Sequence, residues 1–330
     1  MLHAAVRYMI RSVVLLGLLA AAIGGTWLAV DRLIIEADGP HDSPVLVRIA
    51  PGDGHATIRW ELHRAGVIRD LYHYDAARIL AGSGFVPKEG EFEIPARASL
   101  WQVMKIIHAG RSHQRRITVI EGLRSADIVR MIAGDDNFSG KVTVDVPEGS
   151  ILPETYFYTH GTARDAILER MQETREMMLV EAWAERDRDL PLKTRQEALI
   201  LASIVELETG DSADRREVAG VFVNRLKRGM RLQSDPTVLY GVEGGEGRVI
   251  RRSDLKRDTP YNTYVISGLP PTPICNPSQD AIDAVMTPAK TKNLYFVSDG
   301  KGGLRFARTL DEHNRNVRLY RKAQRDAGLR

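Results

Sequence analysis

The run Leu201-Ala202-Ser203-Ile204-Val205-Glu206-Leu207-Glu208-Thr209 sets carboxylates into an otherwise apolar stretch that reads as a buried helix. A carboxylic acid in apolar surroundings resists ionisation and can still hold a proton near neutral pH. That property suits a general acid for glycosidic-bond cleavage. Glu206 has Ser203, Ala202 and Leu199 at i−3, i−4 and i−7, and small neighbours leave room for a ligand. Glu208 lies about 200° further round the helix, so the two carboxylates cannot share one face and one must look away. The plainer reading of Glu206 is an ion pair with an arginine of the next helix, Arg215, Arg216 or Arg225. Spacing alone does not separate the two readings.

The segment that follows is rich in groups that suit a sugar. Asn224, Gln233, Ser234, Asp235, Thr237 and Tyr240 fall within 17 residues, and Tyr261-Asn262-Thr263-Tyr264 comes next. Amides and phenols hydrogen-bond hydroxyl and N-acetyl groups, and tyrosine rings stack on the apolar face of a pyranose. The same residue types also populate ordinary turns. Gly268-Leu269-Pro270-Pro271 is a rigid turn on either reading. Other chemistries lack their residues. Ala81-Gly82-Ser83-Gly84 is not a nucleophile elbow. Gly134 to Lys141 has the wrong spacing for a phosphate loop, and Val142 stands where a hydroxyl is needed. The nine histidines form no close ligand set, so no metal site is expected, and His313 is expected to make structural hydrogen bonds. The single cysteine, Cys275, excludes a disulfide framework and reads as structural.

These residues need elements to position them. With 330 residues, 43% hydrophobic and 27% charged, the composition is globular. A net charge of +3 is too weak to argue for nucleic acid. Ser12 to Val30 is an uncharged run of 19 residues, about 28 Å of helix against a hydrocarbon core of roughly 30 Å. Arg7 and Arg11 before it put residues 1–11 in the cytoplasm and the rest outside. A cleaved signal peptide would have a shorter apolar core and a clearer small-residue cleavage site than Ala21-Ala22-Ile23-Gly24-Gly25. Residues 31–44 read as a polar linker.

Residues 45–110 read as a small strand-helix-helix-strand module. Val45, Val47 and Ile49 alternate with Leu46 and Arg48, and Ser99 could cap a helix bearing Leu100, Val103, Met104 and Ile107 before Gly110. Residues 111–330 form a larger mixed domain. Strands are expected at Arg116–Ile120, Lys141–Val146 and Tyr295–Val297, a cap at Ser125 and a long helix from Ala163 to Arg188. Thr194-x-x-Glu197 is a capping box before the helix that carries Glu206, and a further helix runs from Ala213 to Lys227. Gly244-Gly245-Glu246-Gly247 marks a flexible loop.

Over roughly Val45 to Asn314 the chain resembles the endolytic murein transglycosylases, the MltG or YceG-like family. The resemblance rests on Leu201–Glu206, on Val221-Phe222-Val223-Asn224-Arg225-Leu226 and on Leu232–Gly241. It rests also on Tyr261–Tyr264, Gly268–Pro271, Tyr295–Val297 and Glu312-His313-Asn314. Glu148 to Tyr156 fits the family pattern E-G-x-x-x-P-D/E-T-Y. Departures are small: Leu207 stands where Lys is common, Ser234 for Thr, Thr272 for Gly and Pro147 for Leu. The resemblance implies an α+β protein with an N-terminal transmembrane helix, a LysM-like module and a catalytic domain. It implies a lyase, anchored in a bacterial inner membrane with its catalytic domain outside. Such an enzyme cuts nascent peptidoglycan between N-acetylmuramic acid and N-acetylglucosamine and leaves 1,6-anhydro ends. It places the catalytic glutamate on Glu206, with no metal or organic cofactor. Asn224, Gln233, Asp235, Tyr240, Asn262 and Tyr264 are the expected substrate contacts, with Asp235 or Glu154 as an optional second carboxylate. Membrane-bound peptidoglycan synthases are implied partners. A hydrolytic muramidase, or a wall-binding scaffold without catalysis, are the alternatives.

Overall fold

The computed structural model describes residues 2–242 and 247–326, without the side chains of 2–6, 31 and 32. The expected flexible loop lies outside the described residues except for Gly247. The chain divides into two compact units, Met1–Arg115 and Arg116–Arg330.

The first unit begins with α1 (Leu2–Val30), whose apolar side chains from Tyr8 to Leu28 are exposed. Its span has a mean hydropathy of 2.2. A helix that is apolar all round and buries nothing within its own protein is compatible with a membrane. A short π-helical turn (Asp31–Ile35) follows. β1 (Val45–Ile49) pairs antiparallel with β2 (Gly90–Ile94), Val45 opposite Ile94 and Ile49 opposite Gly90. Between them run α2 (His55–Arg64) and α3 (Leu71–Ala81), and α4 (Leu100–Ala109) comes after. The expected cap holds: Ser99 accepts from the Gln102 amide, and Gln102 answers in a full capping box. Gly110 ends α4 at φ 70°, a left-handed position that suits glycine. Val47, Ile58, Leu62, Tyr74, Phe92 and Ile107 form the core.

Residues 31–44 are not a free linker. Ile35 is 1% exposed and belongs to this core. His41 is buried, its Nε2 2.7 Å from the Pro95 carbonyl, and the Arg97 amide donates to the His41 carbonyl. Polar spacing hid two isoleucines, at positions 34 and 35, that the module needs.

The second unit opens with β3 (Arg115–Thr118), α5 (Ser125–Gly134), β4 (Thr155–Tyr158) and α6 (Arg164–Glu185). β3 and β4 form a two-stranded sheet. Ile128, Ile132, Phe138, Tyr156 and Leu168 pack beneath these elements. Two local expectations change. Residues 141–146 do not form a strand, because the Thr143 and Val144 amides donate to Asp165 at the start of α6. Ser125 does not cap α5 with its hydroxyl; instead Glu148 accepts its amide at 2.8 Å.

Around α7 (Arg195–Glu208) pack α6, α8 (Ser212–Lys227), α9 (Asp235–Tyr240) and α10 (Gln279–Met286). Thr194 caps α7, accepting from the Glu197 amide at 3.1 Å. The return half of the expected box shifts by one residue, since Glu197 accepts from the Lys193 amide. Ala198 through Glu206 are all buried, which makes α7 the axis of this unit. β5 (Tyr295–Ser298) and β6 (Leu304–Ala307) form an antiparallel hairpin, and α11 (Leu310–Asp326) packs on it.

Candidate active site

The last turn of α7 sends its two carboxylates to different fates. Glu206 is 6% exposed and fully engaged. Arg215 on α8 donates to its Oε1 at 2.9 Å. The Ser278 amide and hydroxyl donate to its Oε2 at 2.7 and 2.5 Å. Ser278 in turn caps α10, so the Glu206 carboxyl lies beside a helix N-terminus with the Arg215 guanidinium next to it. The small residues expected to leave room for a ligand admit the chain itself. Ser203 accepts the Ile274 amide at 3.0 Å, and the Cys275 thiol donates to the Ser203 carbonyl. Segment 274–278 fills the space beside α7. Glu206 therefore lines neither of the cavities near α7.

Glu208 faces the other way. It is half-buried and lines a cavity of about 530 Å³ with Arg225, Gln233, Asp235, Tyr264 and Tyr295. That volume lies within the range typical of small-ligand sites, roughly 300–1,000 Å³. Burial pushes the Glu208 carboxyl up to about 7, and the Asp235 charge adds to the rise. The Ser234 hydroxyl, donating to its Oε1 at 2.5 Å, and the Arg225 guanidinium oppose it. A group balanced in this way is half protonated near neutral pH and can both give and take a proton.

The corner that aims Ser234 at Glu208 is tightly fixed. Gln233 sits at φ 51°, a left-handed conformation rare outside glycine. Its amide donates to the Thr263 carbonyl, and the Ser234 amide donates to the Thr263 hydroxyl. The Thr237 hydroxyl donates to the Ser234 carbonyl. An unfavourable backbone held in place by its surroundings is common at functional sites. Arg225 braces the floor, donating to the carbonyls of Leu232 and Leu294 at 2.7 Å each.

Of the expected substrate contacts, Gln233, Asp235 and Tyr264 meet at this cavity. The Tyr264 hydroxyl donates to Asp235 at 2.6 Å. Asp235 also lines a second cavity of about 510 Å³, with Arg124, Leu207 and Tyr240. The two cavities thus meet at one carboxylate. Tyr240 donates to Glu148 at 3.2 Å and lies under the Arg124 guanidinium, 4.7 Å from its ring centre. Two expected contacts are elsewhere. Asn224 ties α8 to the carbonyls of Thr291 and Asn293. Asn262 is fully buried and donates to the carbonyls of Asp254 and Arg257. Both NH2 groups are thereby spent on loop backbone, and the Asn262 Oδ1 accepts from the Tyr264 amide. Glu154 is exposed and lines neither cavity, so Asp235 is the second carboxylate near Glu208.

His313, expected to make structural bonds, stands in the cavity wall, stacked on Tyr295 with ring centres 5.3 Å apart. Its Nδ1 is buried with no hydrogen-bond partner, and burial holds its pKa below the usual imidazole value. Sequence reasoning overlooked Tyr295, which it counted only as part of a strand. Leu207 is 39% exposed and lines the second cavity, so that family departure lies on the surface of the site. Among the described residues, no group of three or more His, Cys, Asp or Glu could hold a metal ion.

The comparisons agree in direction. The model of the YceG-like family matches residues 47–319. An endolytic murein transglycosylase of Bacillus subtilis is 29% identical over 334 residues, covering 90% of this chain and 91% of that protein. One from Streptococcus pneumoniae is 36% identical over 177 residues, 52% of this chain and 31% of its own length. The crystal structure of a YceG-like protein from Listeria monocytogenes superposes with a TM-score of 0.51 at 26% identity, over 83% of this chain and 99% of that one.

Proposed function

Because this chain belongs to the YceG-like family, we propose that it is an endolytic lytic transglycosylase of peptidoglycan and that Glu208, not Glu206, is its acid–base residue. The observation that carries the assignment is the Glu208 carboxyl, raised to about 7 inside an aromatic and polar cavity. Protonated Glu208 gives its proton to the bridging oxygen between N-acetylmuramic acid and N-acetylglucosamine, and the C1–O bond breaks. The carboxylate so formed then takes the proton from the muramic C6 hydroxyl as that oxygen bonds to C1. The product is a 1,6-anhydro end, no water is consumed, and Glu208 finishes protonated. Asp235, which lines the same cavity, supplies a negative charge to the oxocarbenium-like centre in this reading, and Tyr264, hydrogen-bonded to it, orients it. Gln233 and Tyr295 suit a sugar's acetamido group and ring face. Having two cavities joined at Asp235 supports cutting within a strand, with sugars on both sides of the broken bond.

In the same reading α1 is a single-pass anchor in the inner membrane, residues 45–110 act as a LysM-like glycan-binding module, and membrane-bound synthases supply the strands. The anchor would hold the site close to newly made glycan and raise its effective concentration.

The test is product-end analysis. Purified full-length protein is incubated with glycan strands and the ends are weighed by mass spectrometry. Wild type should yield anhydro ends, and Glu208→Gln should lose about 10²–10⁴-fold in rate while keeping its fold. Ends carrying an added water would make the protein a muramidase. Strand binding without cleavage would make it a wall-binding scaffold. A fully active Glu208→Gln would return the acid role to another residue.

A further inference from the structure

The first unit is joined to α1 without slack. Val30 and Ile34 pack against the core to which Ile35 belongs. α3 carries two apolar stripes. Tyr74 and Ala77 are buried in the unit. Tyr72, Ala76, Ile79 and Leu80 fall at i, i+4, i+7 and i+8, which is a single side of a helix. Tyr72 is 78% and Ile79 is 71% exposed. On this side an apolar cavity of about 430 Å³ opens between α1 and α3. Ile23, Trp27 and Val30 line it from one helix, Ala76, Ile79 and Leu80 from the other, and no charged residue is among its described lining.

Depth decides what covers that surface. From Ala22 to Val30 is eight helical steps, about 12 Å along the helix axis. The uncharged run Ser12–Val30 is about as long as the hydrocarbon is thick. Sliding α1 outward by about 12 Å, until α3 cleared the bilayer, would draw Arg11 and Arg7 into hydrocarbon, where cations are costly. With the run in place, the part of α1 beside Ile79 and Leu80 lies within the leaflet on the Val30 side. We propose that the outer face of α3 is a membrane-docking surface, sunk into that leaflet, with a phospholipid acyl chain in the cavity between α1 and α3. Neighbouring groups fit such a seat. Tyr72 is an aromatic of the kind that favours the interface. Arg69 and His73 line a small pocket with Asp38, Leu33 and Ile34, just beyond the end of the span, at headgroup level. The first unit is then held flat against the bilayer by two contacts, a helix through it and a helix on it.

The inference rests on reading α1 as an anchor, and the experiment separates the two claims. Single cysteines replace Val14, Tyr72, Ile79 and, as a water-exposed reference, Lys301, in a full-length Cys275→Ala background. Each is spin-labelled, and the protein is placed in vesicles of phosphatidylcholine and phosphatidylglycerol. Collision rates are measured with oxygen, which concentrates in lipid, and with a water-soluble nickel chelate. The oxygen-to-nickel ratio should be several-fold higher at 14, 72 and 79 than at 301. A lipid signature at 14 with a water signature at 72 and 79 overturns the docking surface and leaves the anchor. Water signatures at all positions overturn the anchor as well. Labels at 72 and 79 shielded from both reagents would mean a protein partner on this face, which also overturns the lipid assignment.

Discussion

Glu206 and Glu208 are two residues apart on one helix, and the structure gives them opposite work. Glu206 closes an ion pair with Arg215 and receives two bonds from Ser278, so its charge belongs to the fold. Replacing it by Gln leaves a buried guanidinium short of its main counter-charge. Breaking such a pair costs about 3–5 kcal/mol, and Asp280 and Glu121, 3.4 and 3.9 Å from Arg215, should hold the loss to the lower end. Denaturant titration of Glu206→Gln should show this drop, while product ends remain anhydro. Glu208 titrates in the working range instead. Its proton must be present for bond cleavage, so activity should be full well below pH 7 and fall as pH rises through about 7. The Asp235 charge raises this pKa. Asp235→Asn should therefore move the alkaline limb of the pH–rate profile to lower pH, beyond any loss in rate. A limb that stays in place would show that Asp235 does not act on the proton of Glu208.

At the scale of elements, the helical period foretold α7 and its cap but not which side of it carries chemistry. An amphipathic helix marks its working face by contrast, and α7 has none: Ala198 through Glu206 are uniformly buried. The angle between the two glutamates was legible, and so was an arginine partner for Glu206. The assignment turned on segment 274–278, more than sixty residues downstream, which occupies the space beside Ser203. Nothing local to α7 announces that contact. Of the polar segment read from the sequence, Gln233, Asp235 and Tyr264 line the cavity beside Glu208, whereas the amides of Asn224 and Asn262 serve loop carbonyls. The packing of that segment can be tested at Ser203. Ser203→Ala removes the acceptor of the buried Ile274 amide, and a buried donor left unpaired costs about 1–3 kcal/mol. Stability should fall by that amount in denaturant titration. The pH at which activity declines should not change, because Glu208 stands on the opposite side of the helix.

At the scale of the whole chain, the divide between the units falls at residues 115 and 116. The segment from 31 to 44 did not read as part of a fold, because its isoleucines stand beside charges and its remainder is turn-forming. Only the three-dimensional core shows that Ile35 belongs with Val47 and Phe92. The consequence is that the end of α1 and the rest of the first unit share one hydrophobic core, whereas the cores of the second unit draw on residues from Ile117 onward. Separate cores should melt separately. Ile35→Ala removes a side chain that is 1% exposed, at a cost of about 2–5 kcal/mol for a truncation of this kind. In detergent, calorimetry should resolve two transitions, and this substitution should lower only one of them. Cleavage of soluble glycan strands should continue at the wild-type rate up to the second transition, since Glu208 and its cavity lie wholly within residues 116–330. If a single transition shifts as a whole, the two units fold as one, and the core shared with α1 then stabilises the cavity beside Glu208 as well.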